Sequence, residues 1–339
     1  MTLYNESIRI IKNNQTSSGA YIACPNFSQY GFCWLRDGSF IAESMFNVNE
    51  KDSARSFFKW GEAVIKRYSD DLNRTLYKDQ ISLDDFLPTR YTSDGYKNHD
   101  DWENAQSDGY GTYLWGLERF VEETNYRYDN NIVSLIVKYL EKVWNIPCYD
   151  VWEEESDAIH TSTLISIAAG LRAAERLLGC HTRWREVKRY IETKLVKNGR
   201  LIKSSLNDTV DSSLIWGVVP FRLWEPEDPL IKNTLSEIEQ KLLYNGGLKR
   251  YGDDTYYGGG SWLLLSSNLA DYYKEIGKMQ GFQKIKDWIE RKGTIHHELP
   301  EQIPEYLIND QYYAHWVEKW GTIATPLLWS HANYLKLFD

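Results

Sequence analysis

Three consecutive carboxylates follow a tryptophan at Trp152-Glu153-Glu154-Glu155, with Asp150 two positions ahead of the ring. A carboxyl held against an indole loses hydration. Its pKa then rises, and it can stay protonated as a general acid near neutral pH. Taken alone, the run reads equally well as a solvated, charged turn. Its setting favours chemistry: it closes a proline-containing loop just ahead of a long apolar-periodic helix. A partner carboxylate is available in Glu298-Leu299-Pro300-Glu301-Gln302-Ile303-Pro304-Glu305, where two prolines restrict the backbone around Glu301. Glu298 and Glu305 are rivals that spacing does not exclude.

Other stretches could grip a polyhydroxylated ligand. In Tyr30-Gly31-Phe32-Cys33-Trp34-Leu35-Arg36-Asp37 the last two residues offer a donor fork and a double acceptor, which suits vicinal hydroxyls. A local ion pair explains them equally well. Trp102 lies in a polar stretch without core periodicity, so a pocket-lining role fits it, whereas Asp108 reads better as a helix cap. The Gly-rich run Tyr256-Tyr257-Gly258-Gly259-Gly260 lacks the lysine and preceding strand of a phosphate loop. It suits instead a tight turn that brings Arg250 into a site.

Composition narrows the partners. A net charge of −9 with no basic cluster argues against nucleic acid or an anionic membrane. Aromatics are abundant, with 14 Trp, 24 Tyr and 11 Phe, and rings both fill cores and stack on apolar ligand faces. Cys24, Cys33, Cys148 and Cys180 form no CxxC pair, and the seven histidines, His296 and His297 included, show no ligand spacing. No metal, organic cofactor or disulfide framework is therefore expected. The N-terminus has no apolar signal region and no apolar run reaches spanning length, which predicts a cytoplasmic protein. Oligomeric state is not encoded in any legible pattern.

These residues must be positioned by helices. The 3.6-residue period marks twelve, near 3–13, 38–47, 53–68, 111–124, 131–145, 161–179, 182–197, 210–216, 230–244, 261–277, 281–292 and 326–337, with almost no convincing strands. Thr325 and Pro326 read as N-cap and first residue of the last helix. Connections after every odd-numbered helix are long, roughly 12 to 40 residues against a usual handful. Six hairpins with all long loops at one end imply an all-α closed double ring carrying the site on that face. A single domain over 1–339 is expected. The 198–209 loop is polar and suggests no chemistry.

The ordered set Arg36-Asp37, Trp152-Glu153-Glu154, Arg250-Tyr251-x-x-Asp254-Thr255-Tyr256, Glu301-Gln302 and Trp329-Ser330-His331-Ala332 resembles glycoside hydrolase family 15, the glucoamylase-like family, from about Tyr21 to the C-terminus. The resemblance implies an (α/α)6 barrel and an inverting, exo-acting α-glucosidase. It makes Glu153 the general acid and Glu301 the general base. It makes Arg36, Asp37 and the Trp152 backbone the clamp on the terminal glucose, and Glu154 and Arg250 the contacts across the scissile bond. Tyr30 would hold the attacking water, while Trp102 and Trp329 would line the pocket. Neither a starch-binding domain nor an N-terminal β-sandwich domain is expected, which favours short α-1,4- or α-1,6-linked gluco-oligosaccharides over starch. The leaving-group side would be built near Glu154, Asp253 and Tyr257. A trehalase, or a non-catalytic glycan-binding or regulatory protein, is the alternative.

Overall fold

The computed structural model describes residues 2–98, 102 and 104–338. Its helices are α1 (Leu3–Asn13), α2 (Leu35–Asn47), α3 (Lys51–Arg67), α4 (Ser69–Tyr77), α5 (Asp108–Thr124), α6 (Asn130–Val143) and α7 (Thr161–Leu178). They continue with α8 (Trp184–Lys194), α9 (Pro229–Leu242), α10 (Leu263–Glu275), α11 (Met279–Lys292), α12 (Asp310–Trp320) and α13 (Leu328–Leu335).

Two kinds of helix alternate along the chain. In α7 nearly every side chain from Thr161 to Ala174 is buried, and the sequence there is rich in Ala, Ser and Gly. A helix covered on all sides needs small residues where its neighbours come close. A Cβ on Gly170 would lie 2.3 Å from the Gly111 carbonyl oxygen, so α5 and α7 touch backbone to backbone. In α8, by contrast, only Val187 and Ile191 are buried, the single stripe of a helix with one face in water.

The buried helices form the inner ring. α2 packs on α5, α5 on α7, and α7 on a 3-10 segment, Ser212–Gly217; that segment packs on α10, α10 on α13, and α13 closes the ring on α2. The outer helices α1, α3, α6, α8, α9 and α11 each lean on this ring, giving an (α/α)6 barrel. Along the axis the lumen is filled by Phe40, Trp115, Trp216, Phe221 and Trp329, with Phe40 stacked on Trp329 at 4.9 Å. Much of the aromatic excess is spent on this plug.

Several expectations change. The helix expected at 210–216 is the 3-10 segment Ser212–Gly217: Asp211 caps it, and Val218, Val219 and Pro220 stop it lengthening. The final helix starts at Leu328, because the Thr325 hydroxyl donates back to the Ile323 carbonyl and caps nothing. Two helices inside long connections, α4 and α12, were not anticipated. Short strands also knit the loops together. Cys33–Trp34 pairs with Arg90–Tyr91, and Ser261–Trp262 lies between Gly247–Leu248 and Gln302–Ile303. Cys24, Cys33, Cys148 and Cys180 are all free thiols. Among the described residues no helix is long and apolar enough to cross a membrane.

Candidate active site

The carboxylate run is a folded turn with its own internal bonding. The buried Asp150 carboxylate accepts from the backbone N–H of Trp152 and of Glu154, each at 2.9 Å. Its backbone closes the same turn, donating to Glu154 O and accepting from Glu153 N, each at 3.0 Å. Glu153 and Glu155 consequently sit at φ +67° and +52°, the left-handed region that non-glycine residues avoid. Successive side chains then diverge to different partners. Glu153 Oε1 accepts from Trp34 Nε1 at 2.6 Å, Glu154 accepts from Arg250 and the Tyr251 hydroxyl, and Glu155 meets Lys203 at 3.1 Å. All three carboxylates are bonded within the protein, and only Glu155 is exposed.

Lys203 belongs to the loop that had suggested no chemistry. Its buried ammonium lies 3.7 Å from Asp150 and 3.8 Å above the Tyr251 ring. The Trp152 indole turns away from Glu153 and donates to Asp211 at 2.8 Å.

At the cavity floor, the start of α2 supplies Arg36 and Asp37, 6% and 7% exposed. Arg36 donates to Gln106 at 3.2 Å and to Asp108 at 3.1 Å, and its Nε lies 3.3 Å from Asp37. Asp108 is thus an ion-pair partner of Arg36, and the cap position before it, Ser107, makes no side-chain bond to the helix. Burial pushes the Asp37 carboxyl up to about 6 despite the pull of Arg36. Trp329, at the start of α13, packs its ring 5.6 Å from the Arg36 guanidinium.

Glu301 is 3% exposed and precedes the strand Gln302–Ile303. Its N–H donates to Ala324 O at 2.9 Å. The preceding backbone is held from α13: Leu299 N donates to His331 Nε2 at 2.9 Å, and Ser330 donates to Pro300 O. That bond leaves His331 Nε2 without a proton, so Nδ1 carries the one that bridges to Ser7 at 2.8 Å. Glu301 Oε1 accepts from the Tyr30 hydroxyl at 3.0 Å, and a second hydroxyl, Tyr256, lies 3.0 Å from Tyr30. Oε2 bonds to no described residue. Neither rival lines the cavity; Glu305 pairs with Lys292 and Glu298 is half-exposed.

Both carboxyls titrate high. Burial raises Glu153 to about 7, against the pull of Arg36 and of the Trp34 bond. Burial also raises Glu301 to about 8, against the Tyr30 bond and the Arg250 charge.

The Gly-rich turn delivers Arg250, 2% exposed, with two nitrogens on Asp254 and one on Glu154 at 3.1 Å. Rings of Trp152, Tyr256 and Trp262 surround its guanidinium at 5.1 to 5.3 Å. Asp253 is exposed and Tyr257 is buried with its hydroxyl on Gly321 O, while Asp254 and Tyr256 take the inward places. The left-handed turn at Tyr257, Gly258 and Gly259 sets that register.

At the rim, Trp102 is half-buried beneath the Arg90 guanidinium, 3.9 Å from its ring. Residues 99–101 and Glu103 lie outside the described residues. Tyr30, Arg36, Asp37, Trp102, Trp152, Glu153, Glu154, Arg250, Glu301 and Trp329 all line one cavity of about 510 Å³. It opens where the inner helices begin. Sequence reasoning missed Trp34, Tyr256 and Trp262, and also Trp316, Lys319 and Trp320 of α12. The α12 signal was present: Tyr313, Trp316, Val317 and Trp320 follow helical spacing after an Asn309 cap and before Gly321. Among the described residues no His, Cys, Asp or Glu cluster could hold a metal ion.

The family model for glycosyl hydrolases family 15 matches residues 2–291, so it stops short of Glu301. Alignment with the isomaltose glucohydrolase of Kribbella flavida runs further, at 36% identity over 99% of this chain and 92% of that protein. A solved glycosidase variant in complex with glucose superposes with TM-score 0.94 at 35% identity, covering 99% of this chain and 95% of its own. Trehalase 1 of Sulfolobus acidocaldarius is 24% identical over 79% of this chain, which spans about half of that enzyme's length (50%).

Proposed function

The chain belongs to glycosyl hydrolases family 15 and is therefore a glycosidase, and from that premise we propose that it is an inverting, exo-acting α-glucosidase. The substrate is a short α-1,6-linked gluco-oligosaccharide of the isomaltose type, cleaved at its non-reducing end to release β-D-glucose. One observation carries this reading: two carboxyls with raised pKa, Glu301 buried and Glu153 half-buried, line one cavity, and each has only one oxygen engaged in a hydrogen bond among the described residues.

In the reaction the terminal glucose occupies the floor, where Arg36 and Asp37 bond its hydroxyls and the Trp329 ring packs beneath it. Trp152 contributes its carbonyl to the same clamp. Glu153 protonates the glycosidic oxygen as the bond breaks. Glu301 accepts a proton from a water attacking the anomeric carbon from the opposite face, and the Tyr30 hydroxyl helps hold that water. Inversion requires roughly 6.5–9.5 Å between the carboxyls so that water fits between them. Trp34 and Tyr30, which hold Glu153 and Glu301 respectively, meet edge to face at 5.8 Å. Arg250 and Glu154 sit on the leaving-group side, and Trp102 borders the entrance. These proton transfers call for no metal or organic cofactor. One catalytic unit over 1–339 performs them.

The α-1,6 preference rests on likeness to the isomaltose glucohydrolase. Likeness to trehalases supports a second reading, cleavage of the α,α-1,1 bond. Glucose release from isomaltose, maltose and trehalose at equal concentration decides between them, with proton NMR reporting which anomer appears first. Faster release from isomaltose as β-glucose, abolished by Glu153→Gln, is the expected result. Initial α-glucose in excess of what the leaving sugar itself carries refutes inversion. Release from no disaccharide or longer oligomer leaves only the glycan-binding reading.

A further inference from the structure

Helix α12 differs from every other described α-helix in having no buried residue. Its sequence nevertheless carries an apolar stripe, and three of its side chains, Trp316, Lys319 and Trp320, line the cavity. The stripe, Tyr313, Trp316, Val317 and Trp320, packs on the core only in part, and two of its rings keep a side for the cavity.

The helix is strapped onto the Gly-rich turn at both ends. Ile308 N donates to Gly258 O at 2.8 Å just before it, and the Tyr257 hydroxyl donates to Gly321 O at 2.9 Å just after it. Trp316 is consumed by this attachment. Its indole N–H bonds Thr255 O at 3.0 Å, and its ring lies edge-on to Tyr256 and stacked on Tyr257. Trp320 is different. No aromatic ring of a described residue packs on it, and the exposed Lys319 ammonium lies 4.9 Å from its centroid. A half-buried indole beside an ammonium offers an apolar plate and a hydrogen-bond donor together.

Depth fixes what these two groups meet. The floor residues Arg36, Asp37 and Trp329 are nearly inaccessible, whereas Trp320 and Glu154 are half-buried and Lys319 is exposed, so α12 belongs to the mouth. In a blind cavity that takes the terminal glucose at its floor, the mouth receives the sugar that leaves. We propose that Trp320, with Lys319, is the receptor for the leaving sugar and so determines specificity on that side, an inference that rests on the glucosidase reading above. The indole stacks on the face of the leaving sugar and the ammonium bonds its hydroxyls. Neither touches the terminal glucose.

The test compares two substrates in wild type, Trp320→Ala and Trp320→Phe. One is the disaccharide that the wild type cleaves fastest; the other is α-glucosyl fluoride, whose leaving group is a single atom. Expected for Trp320→Ala is a roughly tenfold fall in kcat/KM on the disaccharide (about 1.4 kcal/mol), with α-glucosyl fluoride unchanged. Trp320→Phe, which keeps a ring, restores most of the loss. Equal losses on both substrates, or no loss on either, overturn the proposal. A wild type that cleaves neither substrate overturns the glucosidase reading itself, and this inference with it.

Discussion

Glu153 and Glu301 face one cavity from loops of unlike build. The Glu153 turn is tied by short-range polar bonds, Asp150 to its own neighbours, and held from outside by Lys203. The Glu301 segment is tied by long-range contacts: a strand pairing to Ser261–Trp262, a histidine from α13 and a hydroxyl from Tyr30. Glu153 meets one neutral N–H donor, stays half-buried and titrates at about 7, an environment that lets it hold a proton and give it up near neutral pH. Glu301 is almost wholly enclosed and keeps one oxygen unbonded among the described residues, an environment that favours proton capture from a small molecule. Differing surroundings let one residue type fill two roles.

That contrast is open to direct attack. On a disaccharide, Glu153→Gln and Glu301→Gln each cut kcat by roughly 10²–10⁴-fold. They separate on α-glucosyl fluoride, where fluoride departs without protonation: Glu153→Gln retains most activity and Glu301→Gln none. Equal losses on the fluoride, read by fluoride electrode, would erase the assigned division of labour.

The pH profile is the next lever. Turnover needs a proton on Glu153 and none on Glu301, so it is lost in acid, where both carboxyls are protonated, and in alkali, where both are ionised. With Glu153 titrating at about 7 and Glu301 at about 8, kcat/KM peaks between those values and declines on both sides, and the productive form is the minor one of the two singly protonated states. In Glu153→Gln, assayed on the fluoride, the alkaline limb disappears and the acid limb remains.

Tyr30→Phe has a smaller effect. It removes a donor that lowers the Glu301 pKa, so kcat falls roughly tenfold and the limb set by Glu301, the alkaline one because that group titrates above Glu153, moves to higher pH. An unmoved limb would detach Tyr30 from Glu301.

The smallest effect is on stability. A carboxyl raised from 4.5 to about 8 by burial favours the folded state only while protonated. Its contribution therefore shrinks as pH rises from the unfolded value through the folded one. Glu301→Gln, inactive, should match wild-type Tm near pH 4.5 and exceed it by a few degrees above pH 8. A constant Tm difference across that range would place the strain elsewhere.

The double ring was legible because helices repeat their apolar residues, and alternation of long and short connections survives errors at helix ends. The loops carry no such period. That Glu154 meets Arg250 and Glu155 meets Lys203 depends on partners about 50 to 100 positions away, which local spacing does not encode. Which side chains near Asp253 and Tyr257 turn inward was not legible, because a left-handed turn there rotates successive side chains and packs against α12. Helix α12 itself was hidden among residues assigned to one long loop, although its spacing is helical. Trp34 was quoted only as part of an aromatic run, yet it holds Glu153.

His331 has a consequence for how the molecule is made. Through Ser7 and Leu299 it joins the first helix, the last helix and the Glu301 segment at a single imidazole, and burial holds that ring's pKa down to about 3. The Glu153 turn can close from residues 105–211, but the Glu301 segment is fixed only once α13 has docked between α10 and α2. Assembly of the reaction centre thus couples the two extremes of the chain. Sugar cleavage would report that the ring has shut.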